Sequence, residues 1–189
     1  ARFPWDTGYL SGVGGPFGSF LPSAGPNILA SVQPPADLSI DELVANVQAN
    51  QNQRLTDTTW TNLTSFSEHG GKLIFYHGTS DPVFSPFDTL AYYEKMAAAN
   101  GGLDEVRNWS RFYFVPGMNH CTGGPATLDR FDALGAVVDW VEKGTAPDSL
   151  IATGKDFPGR SRPLCPYPQH TQYKGQGNPD DASSFECIR

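Results

Sequence analysis

Lysine and arginine are scarce in this chain and nowhere clustered: 13 of them stand against 20 aspartates and glutamates, a formal net charge of −7. Nucleic acids and anionic membranes attract basic patches, so neither is an expected partner. Long apolar runs are missing as well, and no stretch approaches the ~20 residues that a membrane-spanning helix needs. The opening Ala1-Arg2-Phe3-Pro4-Trp5 has no signal-peptide layout, and so abrupt a start is expected of a processed or truncated product. Cysteine is limited to Cys121, Cys165 and Cys187. In a secreted protein an odd count implies a free thiol or a bond to another chain. Cys165 and Cys187 flank a tail rich in proline, glycine and polar residues that has little means of burying itself, so a disulfide between them would be a sensible staple. That pairing leaves Cys121 over. The acceptor tripeptides Asn62-Leu63-Thr64 and Asn108-Trp109-Ser110 fit a secreted protein of eukaryotic source.

What is present begins with 189 residues, 39% of them hydrophobic, enough for one ordinary core. Residues 1–68 read as an irregular and then helical segment. Gly12-Val13-Gly14-Gly15-Pro16-Phe17-Gly18 is typical of its first half, while Leu38, Ile40, Leu43, Val44 and Val47 fall near a helical period over 37–53, with Asp37 or Ser39 as cap. Thr56 to Ser67 is a connector anchored by Trp60, Leu63 and Phe66. Residues 69–150 alternate strand, helix, strand, helix. Lys72 to His77 and Arg111 to Val115 are the apolar strands. Ser85-Pro86-Phe87-Asp88 opens a helix that Gly101-Gly102 stops, and Phe131, Leu134, Val137, Val138 and Val141 line one face of another that ends at Lys143-Gly144. Residues 151–189 are the stapled tail. The unit is βαβα, so its strands should be parallel. Two parallel strands do not stand alone, because parallel sheets are normally buried on both faces and a lone pair keeps an unpartnered edge. The expected class is therefore α/β, the unit completing a larger parallel sheet supplied by another chain or an upstream segment.

Each strand is followed by a residue with catalytic potential: Asp81 in His77-Gly78-Thr79-Ser80-Asp81-Pro82, and His120 in Val115-Pro116-Gly117-Met118-Asn119-His120-Cys121. The carboxyl ends of strands are where open α/β sheets collect their sites. An α/β-hydrolase carries its nucleophile, acid and base in the order Ser, Asp, His, which makes Asp81 the acid and His120 the base of a C-terminal portion. No Gly-x-Ser-x-Gly elbow precedes them; Ser80 shares the acid's own loop, and Ser19 follows no apolar strand. Taken singly, each residue has a plainer reading. Asp-Pro commonly starts a turn, and an isolated His-Cys pair is more often a metal site or a buried neutral histidine. No further Cys or His stands at ligand spacing, so no metal or cofactor is expected. Found together on successive strands, the two favour catalysis. His69 and His170 read as surface residues; for His77, at the end of the first strand, a structural role is preferred over a ring lining the site. Phe84, and less so Phe87 and Met118, are candidates for an apolar wall against an aromatic acyl group.

These residues resemble the tannase and feruloyl esterase family, which includes a bacterial enzyme acting on a terephthalate monoester. The likeness rests on Gly71-Lys72-Leu73-Ile74-Phe75-Tyr76-His77-Gly78 with Asp81, on Val115 to Cys121, on Asp129-Arg130-Phe131-Asp132-Ala133-Leu134, on Asp139 to Asp148, and on Ser161 to Pro168. It is dense from about 69 to 168 and looser elsewhere. The resemblance implies a secreted (in a bacterium, periplasmic) serine esterase of α/β-hydrolase fold, acting on small esters of aromatic, phenolic acids such as ferulate or gallate. It implies that Asp81 is the acid, that His120 is the base, and that Cys121 pairs with a cysteine directly before the serine, upstream of Ala1. The partner would be the N-terminal chain of the same precursor, held through Cys121. Family lids often bind calcium, but no Asp-rich loop here matches. The rival reading is a non-catalytic binding module with relic Asp81 and His120, presenting Trp5, Tyr9, Phe17 and Trp60 to a sugar or protein.

Overall fold

A computed structural model of the protein describes residues 59–124 and 126–189, together with Ser39, Asp41, Glu42, Ala45 and Ala49. The chain divides into two compact units, Ala1–Thr58 and Thr59–Arg189. In the first, Asp41, Glu42, Ala45 and Ala49 are helical. The Glu42 amide donates to Ser39 Oγ (3.2 Å) and the Ser39 amide to Glu42 Oε2 (2.8 Å). This reciprocal pair is a capping box, with Ser39 as the cap. The glycine-rich segment 1–36, Ser19, and the aromatics Trp5, Tyr9 and Phe17 lie outside the described residues.

The second unit runs α1 (Thr64–Glu68), β1 (Leu73–Gly78), α2 (Pro86–Ala99), α3 (Leu103–Val106), β2 (Ser110–Val115), α4 (Ala133–Lys143), β3 (Leu150–Thr153), β4 (Ser161–Leu164), β5 (His170–Tyr173) and β6 (Phe185–Ile188). β1 and β2 are parallel, in register from Leu73 opposite Ser110 to Gly78 opposite Val115. The helix between them starts where its sequence dictates: Ser85 Oγ accepts from the Phe87 amide and Pro86 occupies the first turn. It ends at Asn100, before two glycines with positive φ. α4 is capped by the Asp132 carboxylate, which accepts from the Gly135 amide at 2.7 Å, and is terminated by Gly144 in the left-handed conformation.

Alternation along β2 divides the core in two. Phe112 joins Tyr93, Met96, Val106 and Trp109, with Phe75 of β1 against them; Tyr113 and Val115 join Met118, Leu150, Ala152 and Leu164, with Ile74 and Phe131 alongside. Both faces of β2 are thus buried, the usual state of a parallel strand. β1 is less well covered, and Tyr76 is 44% exposed.

The structure departs from the sequence expectation in two places. The tail, expected to have little means of burying itself, carries paired strands: β3 pairs antiparallel with β4, and β5 with β6. Leu150, Ala152 and Leu164 give β3 and β4 enough apolar area to close the second core. Cys165 and Cys187 form a disulfide beside them. The apolar face expected for α4 is present but largely uncovered by the described residues. Leu134 is 75% exposed and Val138 and Val141 lie on the same side, whereas the buried residue is Trp140. The Arg111 guanidinium and the Lys72 ammonium lie over its ring at 4.7 and 5.4 Å, both within cation–π range.

Candidate active site

β1 and β2 end side by side, so the loops that follow them leave from adjacent points. Three hydrogen bonds tie the loops together: Thr79 N to Val115 O (3.0 Å), Ser80 N to Met118 O (3.0 Å) and Gly117 N to Thr79 Oγ1 (2.9 Å). Gly78 sets how closely they approach. A Cβ at that position would run into the Met118 and Asn119 carbonyls, which leaves room for glycine alone.

The outcome is a direct contact between residues 39 apart in sequence. His120 Nδ1 lies 2.8 Å from Asp81 Oδ2. The Asp81 side chain is only 3% exposed, that of His120 35%. Every edge of the carboxylate is engaged. Oδ1 accepts from the amides of Val83 (2.7 Å) and Phe84 (3.1 Å), and Oδ2 is also 3.2 Å from His77 Nε2. Burial pushes the Asp81 carboxyl upward, but the hydrogen bond from His120, the two amides and the His120 charge outweigh it and hold the group below its ordinary value. With its Nδ1 proton directed at Asp81, His120 is fixed in the tautomer that leaves base chemistry to Nε2.

The His120 loop is braced from below. Asn119 N donates to Gly123 O (2.8 Å), and Asp129 Oδ2 accepts from both Gly123 N (2.7 Å) and Thr122 Oγ1 (3.0 Å). The Gly123 amide, against slight burial and helped by the Thr122 hydroxyl, keeps the Asp129 carboxyl low. Between these bonds Cys121 adopts φ of 65°, a region non-glycine residues seldom occupy. Its thiol is exposed and is bonded to neither Cys165 nor Cys187.

Of the apolar candidates, Phe84 is 58% exposed and its ring lies 5.4 Å from that of His120. Phe87 is exposed on the first turn of α2. Met118 is a core residue at 1% exposure and lines no open wall. Sequence reasoning preferred a structural role for His77 over one lining the site, and the structure puts its Nε2 3.2 Å from the Asp81 carboxylate. Its position four residues before the acid, in the strand that leads into the acid's loop, was the available signal.

A model of the tannase and feruloyl esterase family matches residues 32–188. The chain belongs to that family. Mono(2-hydroxyethyl) terephthalate hydrolase of Piscinibacter sakaiensis is 49% identical over 135 residues, which make up 68% of this chain and 22% of that protein. Feruloyl esterase B of Aspergillus niger is 32% identical over 170 residues, 81% of this chain and 31% of that protein. Among solved structures, an esterase from Aspergillus oryzae superposes with a TM-score of 0.65 at 32% identity, covering 80% of this chain and 34% of that one. Tannin acyl hydrolase from Aspergillus niger gives 0.62 at 27% identity, covering 79% and 28%. These likenesses are consistent with an α/β-hydrolase-like fold. The chain spans between 22% and 34% of the length of these family members.

Proposed function

We propose that this chain is the C-terminal part of a secreted serine-type carboxylic ester hydrolase acting on esters of aromatic, phenolic acids, of the feruloyl esterase or tannase kind. The 2.8 Å contact of His120 Nδ1 with the buried Asp81 carboxylate carries the reading. The serine comes from an upstream or partner segment, and its hydroxyl oxygen attacks the ester carbonyl while His120 Nε2 takes the hydroxyl proton. Collapse of the tetrahedral intermediate breaks the bond to the alkoxy oxygen, to which His120 returns that proton. Water repeats the sequence on the acyl-serine and releases the acid. Asp81 stabilises the imidazolium formed at each stage, and Phe84, open beside the His120 ring, faces the acyl group. Oxyanion donors belong to the other segment.

Three further observations support an incomplete catalytic unit. The exposed Cys121 thiol stands beside the base. Among the described residues β1 pairs with β2 alone. The shared region makes up only 22% of one matched family member and 31% of another. A disulfide from Cys121 to a cysteine next to the serine would hold nucleophile and base at a set distance, so that reduction impairs turnover before it unfolds the sheet.

Intact mass of the purified protein before and after reduction, with a fluorophosphonate probe present, tests the reading. The expected result is release of a second chain carrying the probe on a serine beside a cysteine. A lone 20.5 kDa species without probe would overturn it in favour of the binding module.

A further inference from the structure

We infer that His77 is a positioning residue of the acid, acting on the reaction through Asp81. The inference rests on the esterase reading and adds to it a second imidazole on the same carboxylate oxygen.

His77, the penultimate residue of β1, turns its ring toward the Asp81 loop, where the side chain is 13% exposed. Nε2 faces two acceptors, Asp81 Oδ2 and the Phe84 carbonyl, both at 3.2 Å. Neither can donate to it, so Nε2 carries the ring proton. Nδ1 lies 2.7 Å from Thr89 Oγ1 in the first turns of α2, and that hydroxyl can donate. A neutral imidazole protonated on Nε2 satisfies all three contacts at once. The result is a directed chain: Thr89 hydroxyl to His77 Nδ1, His77 Nε2–H to Asp81 Oδ2, and His120 Nδ1–H to the same oxygen.

The arrangement has two consequences. It anchors the catalytic carboxylate to the body of α2 as well as to its own loop, fixing the plane in which Oδ2 meets His120. It also draws charge from Oδ2, since a hydrogen bond donated to a carboxylate favours its ionised form. The oxygen then holds the His120 proton less tightly than it would with His120 as its sole partner. Reach and charge are both properties of the Nε2–H group, and a side chain that merely fills the space supplies neither.

The test uses the full-length esterase with an aromatic ester as substrate. His77→Leu should lower kcat by about ten- to a hundredfold, the range for a lost hydrogen bond to a charged group, with KM within about twofold. The acidic limb of the kcat/KM profile should move to higher pH. His77→Gln, whose amide N–H reaches the same oxygen, should recover kcat to within about threefold of the parent and return the limb toward its original place. Thr89→Val, which frees Nδ1 without touching Asp81, should give a smaller loss in the same direction. Unchanged kcat and pH profile in His77→Leu overturn the inference, as does His77→Gln failing as badly as His77→Leu with the limb unmoved. If His77→Leu does not fold, an unaltered kcat and profile in Thr89→Val overturn it. Ring-nitrogen NMR of the parent labelled on histidine gives a readout independent of turnover: a His77 proton on Nδ1 would refute the inference even in an active enzyme. Absence of turnover in the parent, with His77 protonated on Nε2, would instead count against the esterase reading.

Discussion

At the scale of single residues the site is a carboxylate with all its acceptor positions filled. Asp81→Asn keeps shape and most contacts but presents an N–H where an oxygen should face His120 Nδ1, which forces the wrong tautomer. Turnover of the full-length enzyme should fall roughly 10⁴-fold with little change in KM, measured by steady-state kinetics. The same residue sets an acid dependence of stability. Its folded-state value is depressed below the ordinary 3.8, so its contribution is complete above that value and disappears as pH falls through the lower, folded one. Denaturant melts across this range should show a loss in the parent that Asp81→Asn lacks. Asp81 and His120 were legible because each follows an apolar strand in a recognisable order. His77 was legible only by its place four residues before Asp81; its partner choice depends on the ring orientation in β1 and on Thr89, twelve residues on. Met118 was the weaker candidate from the start, and nearness in sequence to His120 gave no hint that its side chain turns into the second core.

At the scale of elements, the loop that carries His120 shows how a candidate catalytic histidine is held by loop hydrogen bonds among the described residues. Asp129 does for this loop what Asp132 does for α4, accepting from a backbone amide that would otherwise lack a partner. Asp129→Ala should cost about 1 kcal/mol in denaturant unfolding and reduce kcat several-fold, while Asp132→Ala should cost a similar amount with kcat retained. Measured side by side, the two variants separate loss of stability from loss of His120 placement. The helices and the two parallel strands could be anticipated from caps, glycines and apolar period. β3 to β6 could not. Their segments are four residues each, interrupted by proline and polar side chains, and β3 and β4 pack with Tyr113 and Val115 in a core that local sequence does not reveal.

At the scale of the whole molecule, the uneven cover of β1 and β2 is the main fact. β2 is shut on its outer side: Tyr113 bridges Pro166, and the Tyr167 amide donates to Phe112 O at 2.7 Å. β1, with Tyr76 and Phe131 in edge-to-face contact beside it, has its other side open among the described residues, and so does the Leu134–Val138–Val141 face of α4. Residues 59–189 expressed alone should self-associate, and Tyr76→Lys should reduce that association, as read by light scattering, because a charge on an edge strand discourages pairing. The closed side of β2 gives the expectation a sharper form. Proline has no N–H to offer a further strand, so strand addition here is one-directional. A pair of strands that accepts a neighbour on one side only is used up by one addition, so two copies meeting through β1 alone would make a closed pair and not a growing fibre.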